Sequence, residues 1–275
     1  MPDPTPTAPG AVAPRGDAAL FDRIADEGRR TRLPISAYAD LYRRMGLLDW
    51  LDAQGRDEPI LEVGTCDALH LVNLAELTGR TGVGIDVSVA SLHSGAREAA
   101  ARGLPVRLAA MDALHTGLAT ARFRTILFFG MLHHFFFEGL AGVLAEAARL
   151  LHPEGRVFVA EPSLLYPYHV LAFGGARVAK RFARVQAIDR NFTDSEMALW
   201  PGRLTRVARD AGLVPLDGSL GYFDYVSILP QSASAPSPWL FRAACRFCRL
   251  VGRLGPTSWR HDFFHMTFQP RQAHP

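Results

Sequence analysis

The sequence predicts a doubly wound α/β fold, and three observations carry that prediction. Short apolar runs alternate with helical stretches from about Pro59 to Pro162. Acidic residues recur at the ends of the first three runs, at Glu62, Asp86 and Asp112. Gly64 follows the first run in Glu62-Val63-Gly64, where a tight turn precedes a helix start. Near-continuous apolar strands mark a parallel sheet covered on both faces. Such sheets take their ligands at the carboxyl ends of the strands.

The elements follow in order. Met1 to Gly16 is rich in Pro and Ala, lacks the pattern of a signal peptide, and reads as a disordered leader. Ala18 to Glu27 has helical spacing and stops at Gly28, and Ser36 to Ala53 forms a second helix with Tyr38, Leu41, Met45, Leu48 and Leu51 on one face. Ile60 to Val63 is the first strand, Leu69 to Leu77 a helix ended by Gly79, and Gly82 to Val87 the second strand. Val89 to Arg102 is a helix closed by Gly103, and Pro105 to Ala110 the third strand. Arg124 to Phe129 is a fourth, Gly139 to Leu151 a helix stopped by His152-Pro153, and Arg156 to Ala160 a fifth strand. Asp194 to Ala211 is a further helix, and Gly221 to Leu229 and Asp262 to Gln269 are two late strands. Three regions result: the leader 1–16, N-terminal helices 17–56, and an α/β domain 57–275 with insertions at about 162–193 and 231–260.

Composition narrows the function classes. A net charge of +3 does not read as a nucleic-acid binder. Cys66, Cys245 and Cys248 are too few for a disulfide framework, which favours a reducing, cytoplasmic setting. Cys245 and Cys248 sit in an apolar helical pattern with no further metal ligands at suitable spacing, so core packing is favoured over a zinc or redox role.

The turn after the first strand carries the functional reading. It reads Glu62-Val63-Gly64-Thr65-Cys66-Asp67-Ala68, then a helix, and presents backbone N–H groups to a nucleotide-like ligand. Asp86 lies about 22 residues beyond Gly64, near the spacing at which an acid binds ribose hydroxyls. With Asp112 after the third strand, this order of acids resembles the class I S-adenosylmethionine-dependent methyltransferases over about Pro59 to Pro162. Phe129-Gly130-Met131-Leu132-His133-His134 and Leu151-His152-Pro153-Glu154-Gly155 resemble that family's segments after strand four and before strand five.

The resemblance implies a Rossmann-like sheet of seven strands, mostly parallel, whose last strand is antiparallel. It also implies S-adenosylmethionine as cofactor and a small-molecule or lipid-like acceptor from natural-product or lipid biosynthesis. Glu62 and Gly64, with Cys66 in the same turn, would flank the methionine part, Asp86 would meet the ribose, and Asp112 the adenine amine. Cys66 and Ala68 replace the family's second and third glycines, and a slightly relaxed turn is the expected accommodation.

His133 and His134 follow strand four at the functional edge, where either can accept a proton from the acceptor or simply pack and cap. Glu161 ends strand five as a substrate contact or a polar strand end. The insertions are basic. Arg177, Lys180, Arg181 and Arg184 fall at helical spacing in one, and Arg242, Arg246, Arg249 and Arg253 in the other. They read as lid helices with solvated arginines, or as a surface for an anionic membrane, an amphiphilic substrate or an acidic partner. Two further readings stay open: a non-methylating member of the fold, and a peripheral membrane or interaction protein.

Overall fold

The computed structural model describes residues 33–55, 58–135, 137–166, 169, 199–225, 246, 247, 250 and 252–271. The leader, the helix expected at 18–27, the basic residues Arg177, Lys180, Arg181 and Arg184 of the first insertion and both Cys245 and Cys248 lie outside them.

The helix expected over 36–53 is two helices, α1 (Ile35–Arg44) and α2 (Leu47–Asp52). Gly46 breaks it by adopting a left-handed φ of +67°. Then come β1 (Ile60–Val63), α3 (Leu69–Thr78), β2 (Gly82–Asp86), α4 (Val89–Ala101), β3 (Val106–Ala110) and β4 (Phe123–Phe129). Ser88 caps α4, its hydroxyl accepting from the Ser91 N–H at 3.2 Å. A 3-10 turn (Leu132–His134), α5 (Phe137–Leu150) and β5 (Leu151–Pro162) follow. Last are α6 (Pro201–Asp210), β6 (Leu213–Pro215), β7 (Gly221–Phe223) and β8 (Phe263–Pro270).

The strands form one sheet in the order β3-β2-β1-β4-β5-β8-β6, with β7 also paired to β8. β1 to β5 are mutually parallel, and β8 runs antiparallel to β5, β6 and β7. The reversed last strand thus agrees with the expectation. The count does not: eight strands stand among the described residues where seven were expected, because the strand beside β8 is broken in two. β6 pairs with Pro270 to Phe268, and β7 with His265 to Phe263. Ser219 fills the gap. Its hydroxyl accepts from the Thr267 N–H at 3.1 Å and donates to the Thr267 carbonyl at 3.2 Å, replacing the ladder that the break removes.

The two sheet faces are covered differently. Leu61, Val63, Ile126, Phe128, Val157 and Val159 pack with Leu140, Val143, Leu144 and Ala147 of α5. These α5 positions recur at helical spacing, and burying each Leu or Val contributes roughly 1.5–3 kcal/mol. On the opposite face Ile60, Leu127, Phe129 and Phe158 pack with Tyr38, Leu41, Tyr42, Leu47 and Leu51 of α1 and α2 and with α3. Glu62 is on this second face, by alternation along β1.

Burial of titratable groups in these layers gives a pH prediction. Burial draws His265 down to about 4, and draws His169 to about 4 with help from nearby His133, against the Ser163 carbonyl. Both are neutral in the fold but have an ordinary value near 6.5 when exposed. A depressed histidine means the unfolded chain binds more protons. Stability should therefore fall as pH drops from about 6.5 towards 4. Urea midpoints that stay flat over that range, or imidazole NMR titrations near 6.5 for both residues, would contradict this.

Candidate functional site

The first turn keeps left-handed backbone at every second residue: φ is +72° at Gly64, +52° at Cys66 and +54° at Ala68. The expected relaxed turn is therefore corrected. Cys66 and Ala68 hold the glycine-type conformation and carry its strain, on the order of 1–2 kcal/mol each. Neighbouring contacts offset it. The Cys66 N–H donates to Asp86 Oδ2 at 2.7 Å, and the Cys66 thiol lies 3.6 Å from the Ser91 hydroxyl in α4. Ala68 is fully buried against α4 at Gly95, where an added Cβ would come within 2.7 Å of the Asp67 carbonyl oxygen. Both side chains thus meet α4, and α4 approaches closely because Gly95 has none.

This predicts a size limit. Cys66→Val or Ala68→Val places a branched Cβ at positive φ and should cost about 2 kcal/mol or more, whereas Cys66→Gly should stay within about 1 kcal/mol of the parent. Chemical denaturation measures both, and an unchanged valine variant would contradict the reading.

The three acids are arranged around this turn. Glu62 is only 2% exposed and accepts from the Thr65 hydroxyl at 2.5 Å. Asp86 accepts from the N–H groups of Cys66 and Ser88, so it ties the turn after β1 to the N-terminus of α4. Asp112 accepts from the Leu114 N–H at 2.9 Å, and the Met111 N–H donates to the Asp86 carbonyl at 2.9 Å. The tips of β2 and β3 are adjacent through the pair Asp86 and Ala110. Glu62, Gly64, Cys66, Asp86 and Asp112 thus all lie at the carboxyl edge of the three strands.

A second constellation lies at the ends of β4 and β5. Glu161 is 0% exposed and accepts three hydrogen bonds: from the Met131 N–H at 2.9 Å, the Leu132 N–H at 2.7 Å and His133 Nδ1 at 2.8 Å. It is not a loose strand end: it holds the loop after β4. A carboxylate can only accept, so His133 carries a proton on Nδ1 and donates it to Glu161. His134 stacks near His133 with ring centres 4.1 Å apart, and burial followed by His133 holds it well below the ordinary histidine range. His169 is fixed the same way as His133, with Nδ1 donating to the Ser163 carbonyl at 2.9 Å.

Residues 60–155 match a family model described as a methyltransferase domain. Over these residues the chain is similar to methyltransferase domains. Solved structures show the same fold at low identity. The [4+2]-cyclase SpnF is 18% identical with a TM-score of 0.60, over 96% of this chain and 98% of that one. A SAM-dependent methyltransferase from Archaeoglobus fulgidus is 13% identical with a TM-score of 0.54, over 86% and 94%. The Burkholderia thailandensis 1,6-didemethyltoxoflavin-N1-methyltransferase, solved with S-adenosylhomocysteine, is 16% identical with a TM-score of 0.52, over 97% and 94%. No curated protein matches the chain.

The first turn fits the cofactor that the resemblance implies. Its left-handed positions are all retained, and the only two side chains added there lie against α4. Sequence reasoning missed Thr65, Ser88, the role of Glu161, and His169. Thr65 and Ser88 do carry local signals, three residues from Glu62 and at the N-cap of α4, whereas the role of Glu161 appears only when the sheet brings the end of β5 beside the loop after β4.

Proposed function

We propose that the methyltransferase domain transfers a methyl group from S-adenosylmethionine to a small-molecule acceptor, with His133 as general base. The observation that carries this is the Glu161–His133 pair at 2.8 Å, at the same sheet edge as the Gly64 turn. Bound there, S-adenosylmethionine supplies the methyl group as an electrophile. Glu62, Gly64 and Cys66 hold its amino-acid part, Asp86 its ribose, and Asp112 its adenine. His133 Nε2 takes the proton from an acceptor O–H or N–H, and buried Glu161 offsets the charge that the imidazole gains. His134 has another part: burial favours its neutral form, and it packs beside His133. Calorimetric titration with S-adenosylmethionine and S-adenosylhomocysteine tests the reading. Absence of heat from either at millimolar concentration would sink it.

One observation favours a second property. In the second insertion Phe247, Leu250 and Leu254 are 66%, 61% and 92% exposed, beside exposed Arg246 and Arg253. Apolar side chains flanked by arginines fit the surface of an anionic bilayer, where each charge contributes on the order of 1 kcal/mol. Among the described residues no helix is long and apolar enough to cross a membrane. Co-sedimentation with anionic vesicles, weakened by salt and by Leu254→Ser, is expected; equal, negligible binding to anionic and neutral vesicles would refute it.

A further inference from the structure

Residues 246, 247, 250 and 252–260, between β7 and β8, form a small knob whose parts are tied together. Arg246, Phe247, Leu250 and Gly252 are helical, and Thr257–Trp259 is a 3-10 turn. Arg260 joins the two. Its Nε donates to the Gly252 carbonyl at 3.0 Å, and a terminal nitrogen reaches the Gly255 and Arg253 carbonyls at 3.4 and 3.5 Å. These carbonyls stand at and just past the helix end, where an arginine is a suitable donor. A Cβ on Gly252 would come within 2.7 Å of the Trp259 carbonyl oxygen, and one on Gly255 within 2.5 Å of the Trp259 ring. Both glycines are therefore needed for this closure.

The knob turns its apolar side outward. Gly252 is buried, whereas Phe247, Leu250 and Leu254, at helical spacing, are exposed, as is Trp259 beside Gly255. A helix that merely covers a core has the reverse arrangement. Arg246, Arg253 and Arg260 are exposed chain neighbours of Phe247, Leu254 and Trp259, and the sequence from 226 to 260 holds no acidic residue. Two copies meeting on this face would set arginines against arginines, which disfavours self-association. Phe, Leu and Trp flanked by arginine instead match an anionic bilayer surface: the apolar groups enter the headgroup layer and the guanidinium groups meet lipid phosphates.

The knob leads directly into the carboxyl edge of the sheet. Arg260 is three residues before Phe263, which pairs with Pro162 at the end of β5. Three residues span at most about 11 Å. Asp262 fastens the base: its carbonyl accepts from the Ser163 N–H at 2.8 Å, and its Oδ1 from the Tyr225 N–H at 2.7 Å. His261 Nδ1 lies 3.3 Å from Asp224 Oδ1 across the same neck. Glu161, which holds His133, pairs with Phe264 one residue further on. A bilayer that receives the knob therefore lies against the edge that carries the Glu161–His133 pair. We infer that the acceptor is an amphiphile taken from an anionic leaflet, its tail left among the lipids and its polar head, with the reacting O–H or N–H, held at this edge. The acceptor oxygen or nitrogen gains the methyl group as the methyl–sulfur bond breaks, its proton goes to His133, and S-adenosylhomocysteine leaves. The inference deepens the methyl-transfer reading and rests on it for the reaction.

The test mixes the full chain with S-adenosylmethionine tritiated in its methyl group and with vesicles made from the total lipid extract of the source cells. Tritium should enter the lipids and not a water-soluble extract of the same cells. The double variant Phe247→Ser, Leu254→Ser should lower the initial rate on vesicles at least about ten-fold, the effect of withdrawing two apolar side chains from the bilayer. Its S-adenosylhomocysteine affinity should stay unchanged, because neither residue belongs to the cofactor turn. Dispersing the same lipids in neutral detergent micelles should bring the two rates together, since the acceptor then no longer comes from a bilayer surface. Label in the water-soluble extract, label in neither fraction, or a double variant as fast as the parent on vesicles would overturn the inference. So would a rate difference that persists in micelles, which would place the two side chains in the acceptor pocket instead. Binding to phosphatidylglycerol vesicles that survives the double variant but is lost on Arg253→Ser would point to a purely electrostatic surface, such as one for an acidic protein, and would overturn it too. Failure to bind S-adenosylhomocysteine counts against methyl transfer itself, whereas an inert lipid extract with S-adenosylhomocysteine bound counts against the amphiphilic acceptor alone.

Discussion

Glu161→Gln should leave the protein folded and lower methyl transfer by about 10²–10⁴, the usual contribution of a general base. The amide oxygen can still accept from the Met131 and Leu132 N–H groups, which share one carboxylate oxygen. The amide nitrogen then faces His133 Nδ1 and donates to it. His133 must move its proton to Nε2, and the lone pair that the proposed base would use is lost. Glu161→Ala is the harsher change. It leaves two buried backbone N–H groups without their acceptor and His133 without its partner, which should cost on the order of 3–5 kcal/mol. The pair of variants separates the two jobs: loss of activity with retained stability in Glu161→Gln, and loss of both in Glu161→Ala. Full activity in a folded Glu161→Gln variant would remove His133 from the mechanism. Nitrogen NMR of His133 in that variant reads the tautomer directly.

Gly64→Ala should be the most damaging single methyl in the domain. Gly64 has φ +72°, and a Cβ there would overlap Met131 Cγ and approach Met131 Cβ to 2.9 Å. Left-handed strain contributes about 1–2 kcal/mol and overpacking about 1–3 kcal/mol. The stability loss should be about 3 kcal/mol, with at least a ten-fold loss of S-adenosylhomocysteine affinity, equivalent to about 1.4 kcal/mol. Met131→Ala in the same chain removes the overlap but not the strain. The double variant should therefore recover part of the loss, a non-additivity expected of residues in contact. Strict additivity of the two changes would show that Met131 is not what Gly64 accommodates.

Other glycine-type positions show how the turn is arranged. Cys66 and Ala68 adopt left-handed backbone because Asp86 accepts the Cys66 N–H and α4 receives both side chains. A reader of the sequence sees two lost glycines and expects a looser turn. The structure keeps the turn and makes room in α4, through Gly95, which lies 27 residues beyond Ala68.

The strands, their parallel order and the ordered acids were legible because each leaves a local trace. A buried parallel strand must be apolar along its length, an acid must stand at its tip, and a left-handed turn favours glycine. The continuous helix expected over 36–53 was wrong at Gly46, where helical spacing runs through a backbone break. The seventh strand became two because Ser219 can replace ladder hydrogen bonds, and no periodicity in the sequence signals that.

The sequence alone thus determined the fold class, the place of the cofactor turn, and the candidate residues Glu62, Gly64, Cys66, Asp86, Asp112, His133 and His134. Tertiary structure decided how they divide the work. His133 and His134 are neighbours of the same type, yet only His133 is held by buried Glu161 through Nδ1, while burial favours the neutral form of His134. Tyr42, His70 and Tyr225 meet only because α1, α3 and β7 converge on one sheet edge. Protonation and orientation depend on three-dimensional neighbours, and those neighbours are set by packing across distant parts of the chain.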